Sequence, residues 1–157
     1  MILFKSKEKQ MAIHTKASIL VVDDEEFIRN LVCLMLSKLN YRTVSARNAS
    51  EALTCLANGY GIDLVLTDIN MPKIDGWELA LRIKTLKPGV PIVALTGESP
   101  SNIFPKLQGS GIRHALFKPI KIDVLGDALS SILESPRKNH AIECVGSADG
   151  GPRFQHI

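Results

Sequence analysis

A chain of 157 residues, 45% hydrophobic and 22% charged, is sized for one globular domain with some tail to spare. Lys5, Lys7, Glu8 and Lys9 interrupt the opening Met1–Phe4 run and no apolar run reaches spanning length, which excludes a transmembrane helix and a signal peptide and predicts a cytoplasmic protein with no membrane partner. The net charge of +3 sits in a basic leader, residues 1–16, while residues 17–133 are neutral and give no footprint for nucleic acid.

In chain order, Ile19-Leu20-Val21-Val22 is a continuous apolar run, as a strand buried on both faces requires. Ile28, Leu31, Val32, Met35 and Leu39 then recur at helical spacing. Tyr41–Ala46 reads as a second strand, and Asn48 with Glu51 opens a second helix through Leu53 and Leu56 that Gly59 can end. Asp63–Thr67 is the third strand, followed by Leu79, Ile83 and Leu86 on a helix. Pro91–Leu95 and Ile112–Phe117 are the fourth and fifth strands, and Leu125, Ala128, Leu129, Ile132 and Leu133 mark a closing amphipathic helix. Strand and helix alternate five times, which argues a parallel sheet with helices on both faces. Residues 134–157 lack apolar periodicity and hold Pro136, Gly146, Gly150, Gly151 and Pro152, so they read as a disordered tail. Cys33, Cys55 and Cys144 are odd in number and show no metal spacing, which suits reduced thiols.

Between the fourth and fifth strands, Ser99-Pro100 starts a fourth helix, with Ser as cap and Pro at the first helical position. Pro105 then falls inside that helix, and Gly109 and Gly111 close it. The helix is expected to be short, kinked or late, and residues 97–111 to be the most mobile part of the domain.

Charge accumulates where the apolar strands end. The first strand runs into Asp23-Asp24, the third into Asp68, the fourth into Thr96 and the fifth into Lys118. Ligands of open parallel sheets sit beyond the carboxyl ends of the strands, and with strand order 2-1-3-4-5 the first and third strands are neighbours at the switch point. Three crowded carboxylates repel one another, and a hard divalent cation such as Mg²⁺ relieves that. With the cation and Lys118 the formal charges balance, and a carboxylate there can accept a phosphoryl group as an aspartyl phosphate. Thr96 offers a hydroxyl to a phosphoryl oxygen, and Gly97 leaves room beside it.

The segments "ILVVDDEEFIR", "DLVLTDINMPKIDGWEL", "PIVALTG" and "ALFKPI" resemble, in order and spacing, the four signature segments of the response-regulator receiver domain of two-component signalling. The resemblance covers residues 17–133 and implies a flavodoxin-like, doubly wound five-stranded sheet. It implies that Asp68 takes a phosphoryl group from the phosphohistidine of a histidine kinase or histidine phosphotransfer protein, and that the product switches contacts with a further protein. Asp24, Asp68 and the carbonyl of Asn70 would then ligate Mg²⁺, with Asp23 acting through water, and Thr96 and Lys118 would respond to the phosphoryl group. It also implies a cis Lys118–Pro119 bond. Two positions depart from the pattern: Ala115 stands where Tyr or Phe is frequent, and Ile120 where Phe is frequent. Both bear on the conformational readout and leave the phosphorylation chemistry intact.

Plainer readings compete at several positions. Asp23-Asp24 taken alone suits a helix start, and Asp75-Gly76 suits a turn and cap. Trp77 reads as packing, and His14, His114, His140 and His156 show no ligand spacing. Gly59-Tyr60-Gly61 and Gly109-Ser110-Gly111 lack the strand-to-helix setting of a nucleotide loop. The competing function is a Mg²⁺-dependent phosphohydrolase of haloacid-dehalogenase type, but that chemistry wants an acid where this chain has Asn70. No output domain is read after Leu133, which leaves a single-domain regulator or a receiver belonging to a hybrid kinase.

Overall fold

The computed structural model describes residues 16–134 and the backbone of Glu143–Cys144; the remainder of the expected leader and tail lies outside the described residues. Five parallel strands form the sheet: β1 (Ser18–Val22), β2 (Arg42–Ala46), β3 (Leu64–Asp68), β4 (Ile92–Thr96) and β5 (His114–Phe117), in the order β2-β1-β3-β4-β5. A two-residue strand, β6 (Glu143–Cys144), pairs parallel with β5 at the edge, inside the stretch expected to be a tail. Strand limits differ from the sequence expectation by one or two residues, the usual uncertainty of such ends.

Every residue of β1, β3 and β4 is buried, because helices cover both faces. Leu20, Val22, Val65 and Ala94 point to one side and pack with α2 (Ala49–Ala57), α3 (Gly76–Leu86) and α4 (Pro100–Leu107). Ile19, Val21, Leu66 and Leu95 point to the other and pack with α1 (Glu26–Lys38) and α5 (Ile122–Glu134). Gly126 lets α5 approach α1 closely: a Cβ there would lie 3.2 Å from Leu39 Cδ2. None of the described helices is long and apolar enough to cross a membrane.

Local chemistry sets the helix ends. Asn48 caps α2, its side chain accepting from Glu51 N–H, while the Glu51 carboxylate returns to Arg47 N–H instead of the cap residue's own N–H. Asn58 closes that helix and Gly59 follows at φ 72°, a left-handed position that suits glycine. Asp75 caps α3 by accepting from Glu78 N–H at 2.9 Å, as its reading as a cap anticipated. Trp77 is half-buried against the core.

Two helices carry departures. In α1, Val32 and Leu36 are the buried residues, whereas Leu31 joins Phe27 and Leu34 on the exposed side. Apolar residues run most of the way round this helix, so periodicity alone does not pick its inner face. The eight-residue α4 does start at Pro100 behind Ser99, and it contains Pro105. It is therefore short, as expected, but not late.

Candidate functional site

The register of the sheet builds the site. Val22 of β1 lies opposite Thr67 of β3, so one residue further on Asp23 and Asp68 leave the sheet side by side. Asp24 follows into the loop. Their carboxylates come together: one ligand oxygen from each of Asp23, Asp24 and Asp68 lies within 4.8 Å of the others. Asp23 and Asp68 are buried and Asp24 is exposed.

Lys118 arrives from the tip of β5, where its N–H bonds Thr96 O across the strands at 2.7 Å and the Lys118–Pro119 bond is cis. Its ammonium donates to Asp23 Oδ2 at 3.2 Å and to Asp68 Oδ1 at 3.4 Å. Burial would lower the pKa of Lys118, but the two carboxylates and the bonds to them outweigh it and leave the value raised. For Asp68, burial raises the pKa, the Lys118 charge pulls it back, and the Asp23 charge raises it again; the net shift is upward. One ammonium does not neutralise this pocket. The donor set of three hard carboxylates fits a divalent cation of the Mg²⁺ kind, which would favour the ionised form of each.

The remaining expected residues lie at the same carboxyl-end edge of the sheet. Thr96 is fully buried at the end of β4, with its Oγ1 accepting from Glu98 N–H at 3.1 Å. Asn70 is exposed two residues beyond Asp68, at the start of the β3–α3 loop. Asp23 does not cap α1, whose cap residue is Glu25 and carries no side-chain cap bond; its Oδ1 instead accepts from Glu25 N–H at 2.9 Å in the turn before the helix. That turn bond and pocket formation are compatible.

Two supporting residues escape the motif reading. Arg29 Nη1 donates to Asp23 O at 2.8 Å, tying the β1–α1 loop to the helix that follows it. Gly76 is packed directly under the acid: a Cβ on it would stand 2.3 Å from Asp68 O and 2.8 Å from Ile69 Cα. Gly76 N–H also donates to Ile69 O at 2.8 Å. No side chain other than hydrogen fits between α3 and the end of β3. An Asp-Gly pair ahead of a helix signals a cap, and that signal masks the close approach.

Comparison with known proteins agrees on one family. The family model for the response regulator receiver domain matches residues 19–130. Sensor histidine kinase RcsC of Escherichia coli strain K12 is 33% identical over 134 residues, which is 85% of this chain and 14% of that protein. Transcriptional regulatory protein GlrR of the same strain is 34% identical, over 77% of this chain and 27% of that protein. The chain thus spans about a seventh of RcsC and about a quarter of GlrR. Among solved structures, the signal receiver domain of an HD domain-containing protein from Pseudomonas fluorescens Pf-5 superposes with a TM-score of 0.69 at 34% identity, over 75% of this chain and 94% of that one. Chemotaxis protein CheY4 of Vibrio cholerae gives 0.68 at 28% identity, over 74% and 98%.

Proposed function

Because this chain belongs to the response regulator receiver domain family of two-component systems, we propose that Asp68 is its phosphoacceptor, taking the phosphoryl group from a phosphohistidine of a histidine kinase or histidine phosphotransfer protein. The observation that carries the assignment is the Asp68 carboxylate itself, buried at the tip of β3 and bonded by Lys118 beside two further acids.

An ionised Asp68 oxygen attacks phosphorus while the phosphorus–nitrogen bond breaks. The electron pair of that bond stays on the imidazole, which takes a proton from solvent. The product is an aspartyl phosphate. Lys118 lies within hydrogen-bond distance of Asp68 Oδ1, from where it can neutralise charge on the transferring group. Thr96 offers its hydroxyl from the neighbouring strand, and Gly76 and Arg29 hold the two acid-bearing loops in place. Asp24, Asp68 and the Asn70 carbonyl would hold Mg²⁺, with Asp23 acting through water, and the ion would offset the negative charge of the phosphoryl oxygens. Asn70 leaves no general acid of the phosphohydrolase kind, which disfavours that alternative. Self-phosphorylation by a small donor and slow loss of the group complete the reading.

The donor protein needs a resting place at the rim of the pocket. Phe27, Leu31 and Leu34 form an exposed apolar stripe on α1, 73%, 38% and 55% accessible, that starts three residues after Asp24. A helix carrying the phosphohistidine suits that stripe. The test is labelling with acetyl phosphate and Mg²⁺. A hydroxylamine-labile phosphoryl group should appear on the chain and vanish in Asp68→Asn; equal labelling of that variant would overturn the assignment.

A further inference from the structure

The aromatic position three residues before Lys118 is Ala115, yet an aromatic residue still stands on the same face of β5, two residues later. Ala94 of β4 and Ala115 of β5 are register partners, both fully buried. The next same-face pair is Thr96 opposite Phe117. Register partners on parallel strands project to the same side, so the Thr96 hydroxyl and the Phe117 ring are neighbours above a floor of two methyl groups. Phe117 is also bonded through the backbone to Lys118. Its ring meets Phe104 of α4 edge to face, with centroids 6.1 Å apart and planes at 85°. Phe104 is otherwise 39% exposed, and α4 has only Ile103 and Leu107 buried.

Phe117 therefore stands beside Thr96 in register, directly precedes Lys118 in the chain, and meets the helix beside them through Phe104. Building on the phosphoacceptor reading of Asp68, we propose that Phe117 is the relay between that residue and α4. In the present structure the Thr96 hydroxyl is turned to Glu98 N–H, in the loop that leads into α4. Turning it to a phosphoryl group on Asp68 gives up that bond and opens the flank of the Phe117 ring. The ring moves into the space and withdraws from Phe104. An edge-to-face pair shifts a local equilibrium by roughly 2- to 10-fold, which suits a short helix interrupted by a proline.

The test uses the full chain with its five phenylalanines replaced by 4-fluorophenylalanine, with Mg²⁺ and beryllofluoride as the phosphoryl mimic. Phe104→Leu and Phe117→Leu assign the fluorine resonances. In the parent chain both resonances shift with beryllofluoride. In Phe117→Leu the Phe104 resonance stays put, although acetyl phosphate still labels Asp68. In Phe104→Leu the Phe117 resonance still shifts, while amide exchange over residues 100–107 loses its response, about 2- to 10-fold in the parent. A Phe104 shift that survives in Phe117→Leu overturns the relay, as does a labelled parent whose two rings stay silent. If Phe117→Leu does not fold, Phe104→Leu decides alone: an exchange response that persists without the ring overturns it. A chain that acetyl phosphate never labels fails one step earlier, at the phosphoacceptor, and takes the relay with it.

Discussion

The two halves of the sheet's upper edge are held in different ways. At β1 and β3, the two buried acids of the pocket are held in place: Asp23 is engaged by Lys118, Glu25 N–H and, through its carbonyl, Arg29, while Asp68 is bonded by Lys118 and rests on Gly76. At β4 and α4, the helix is eight residues long, the Ser99 hydroxyl pairs with the Ser101 hydroxyl and caps no backbone N–H, and Pro105 interrupts its ladder. A phosphoryl acceptor needs fixed geometry, because misplacement of the reacting groups costs rate steeply. A readout element needs a free-energy gap small enough for one chemical event to tip. On the phosphoacceptor reading proposed above, this division would place chemistry on the firmly held side and response on the loosely held one.

The largest expected effect lies on the rigid side. Asp68→Asn should abolish acetyl phosphate labelling while leaving the fold, since an amide keeps the shape and loses the nucleophile. Asp24→Ala should retain Asp68 yet lose the dependence of labelling on Mg²⁺, because one carboxylate of the cluster is gone. An unaltered Mg²⁺ titration would remove Asp24 from the metal set.

Two glycines compare the halves directly. Gly76→Ala must displace backbone on β3, so it should cost about 1–3 kcal/mol or more in denaturant unfolding and slow labelling as well. Gly97, just past Thr96, has nothing within 4 Å of an added Cβ, and Gly97→Ala should fall within about 0.5 kcal/mol of the parent. Equal costs at the two positions would erase the contrast between the halves.

How much of this was legible in the sequence follows from the range of each signal. Asp23, Asp24, Asp68 and Lys118 announce themselves because charge at the tip of an apolar strand contradicts burial unless something is gained there. The parallel sheet followed from alternation and its order from the resemblance, with strand limits off by a residue or two. Gly76 was visible only as a cap partner, since the atom it must not touch belongs to β3 and not to its own turn. Arg29 carried no separate signal, its acceptor being a backbone carbonyl. The contact of Phe104 with Phe117 depends on where α4 comes to rest against β5, which no local pattern encodes. The α1 stripe was hidden for the opposite reason: that helix has too many apolar residues to reveal which of them face out.

A smaller effect concerns acid and base. In the metal-free protein Asp68 has a raised pKa, chiefly through burial, so the folded state binds its proton more tightly than the unfolded state does. Stability then falls as pH rises from the ordinary carboxylate value through the folded one, and that loss persists above it. Asp68→Asn removes this slope. The variant should gain on the parent across that interval and melt higher at neutral pH without metal, at roughly 2–4 °C per kcal/mol for a chain of this size. Mg²⁺ should narrow the gap by stabilising the parent. A variant that melts lower at every pH would mean that the Lys118 ion pair outweighs desolvation.

The smallest expected change tests the adjustable side. Pro105 is exposed, so Pro105→Ala removes no packing from the core. It restores a backbone donor one turn after Ser101 and relieves the ring's clash with that turn; interior prolines cost helices ~3 kcal/mol, though a helix that ends two residues later should recover less. Ile103 and Leu107 stay buried in both forms. Amide exchange over residues 100–107 should therefore slow in the unphosphorylated variant, and the further change on adding beryllofluoride should shrink, because the helix starts closer to its ordered state. Labelling at Asp68 should not change. If exchange in the free variant equals that of the parent, α4 is governed by its two buried side chains and not by its interrupted ladder, and the proline is a passenger in the readout.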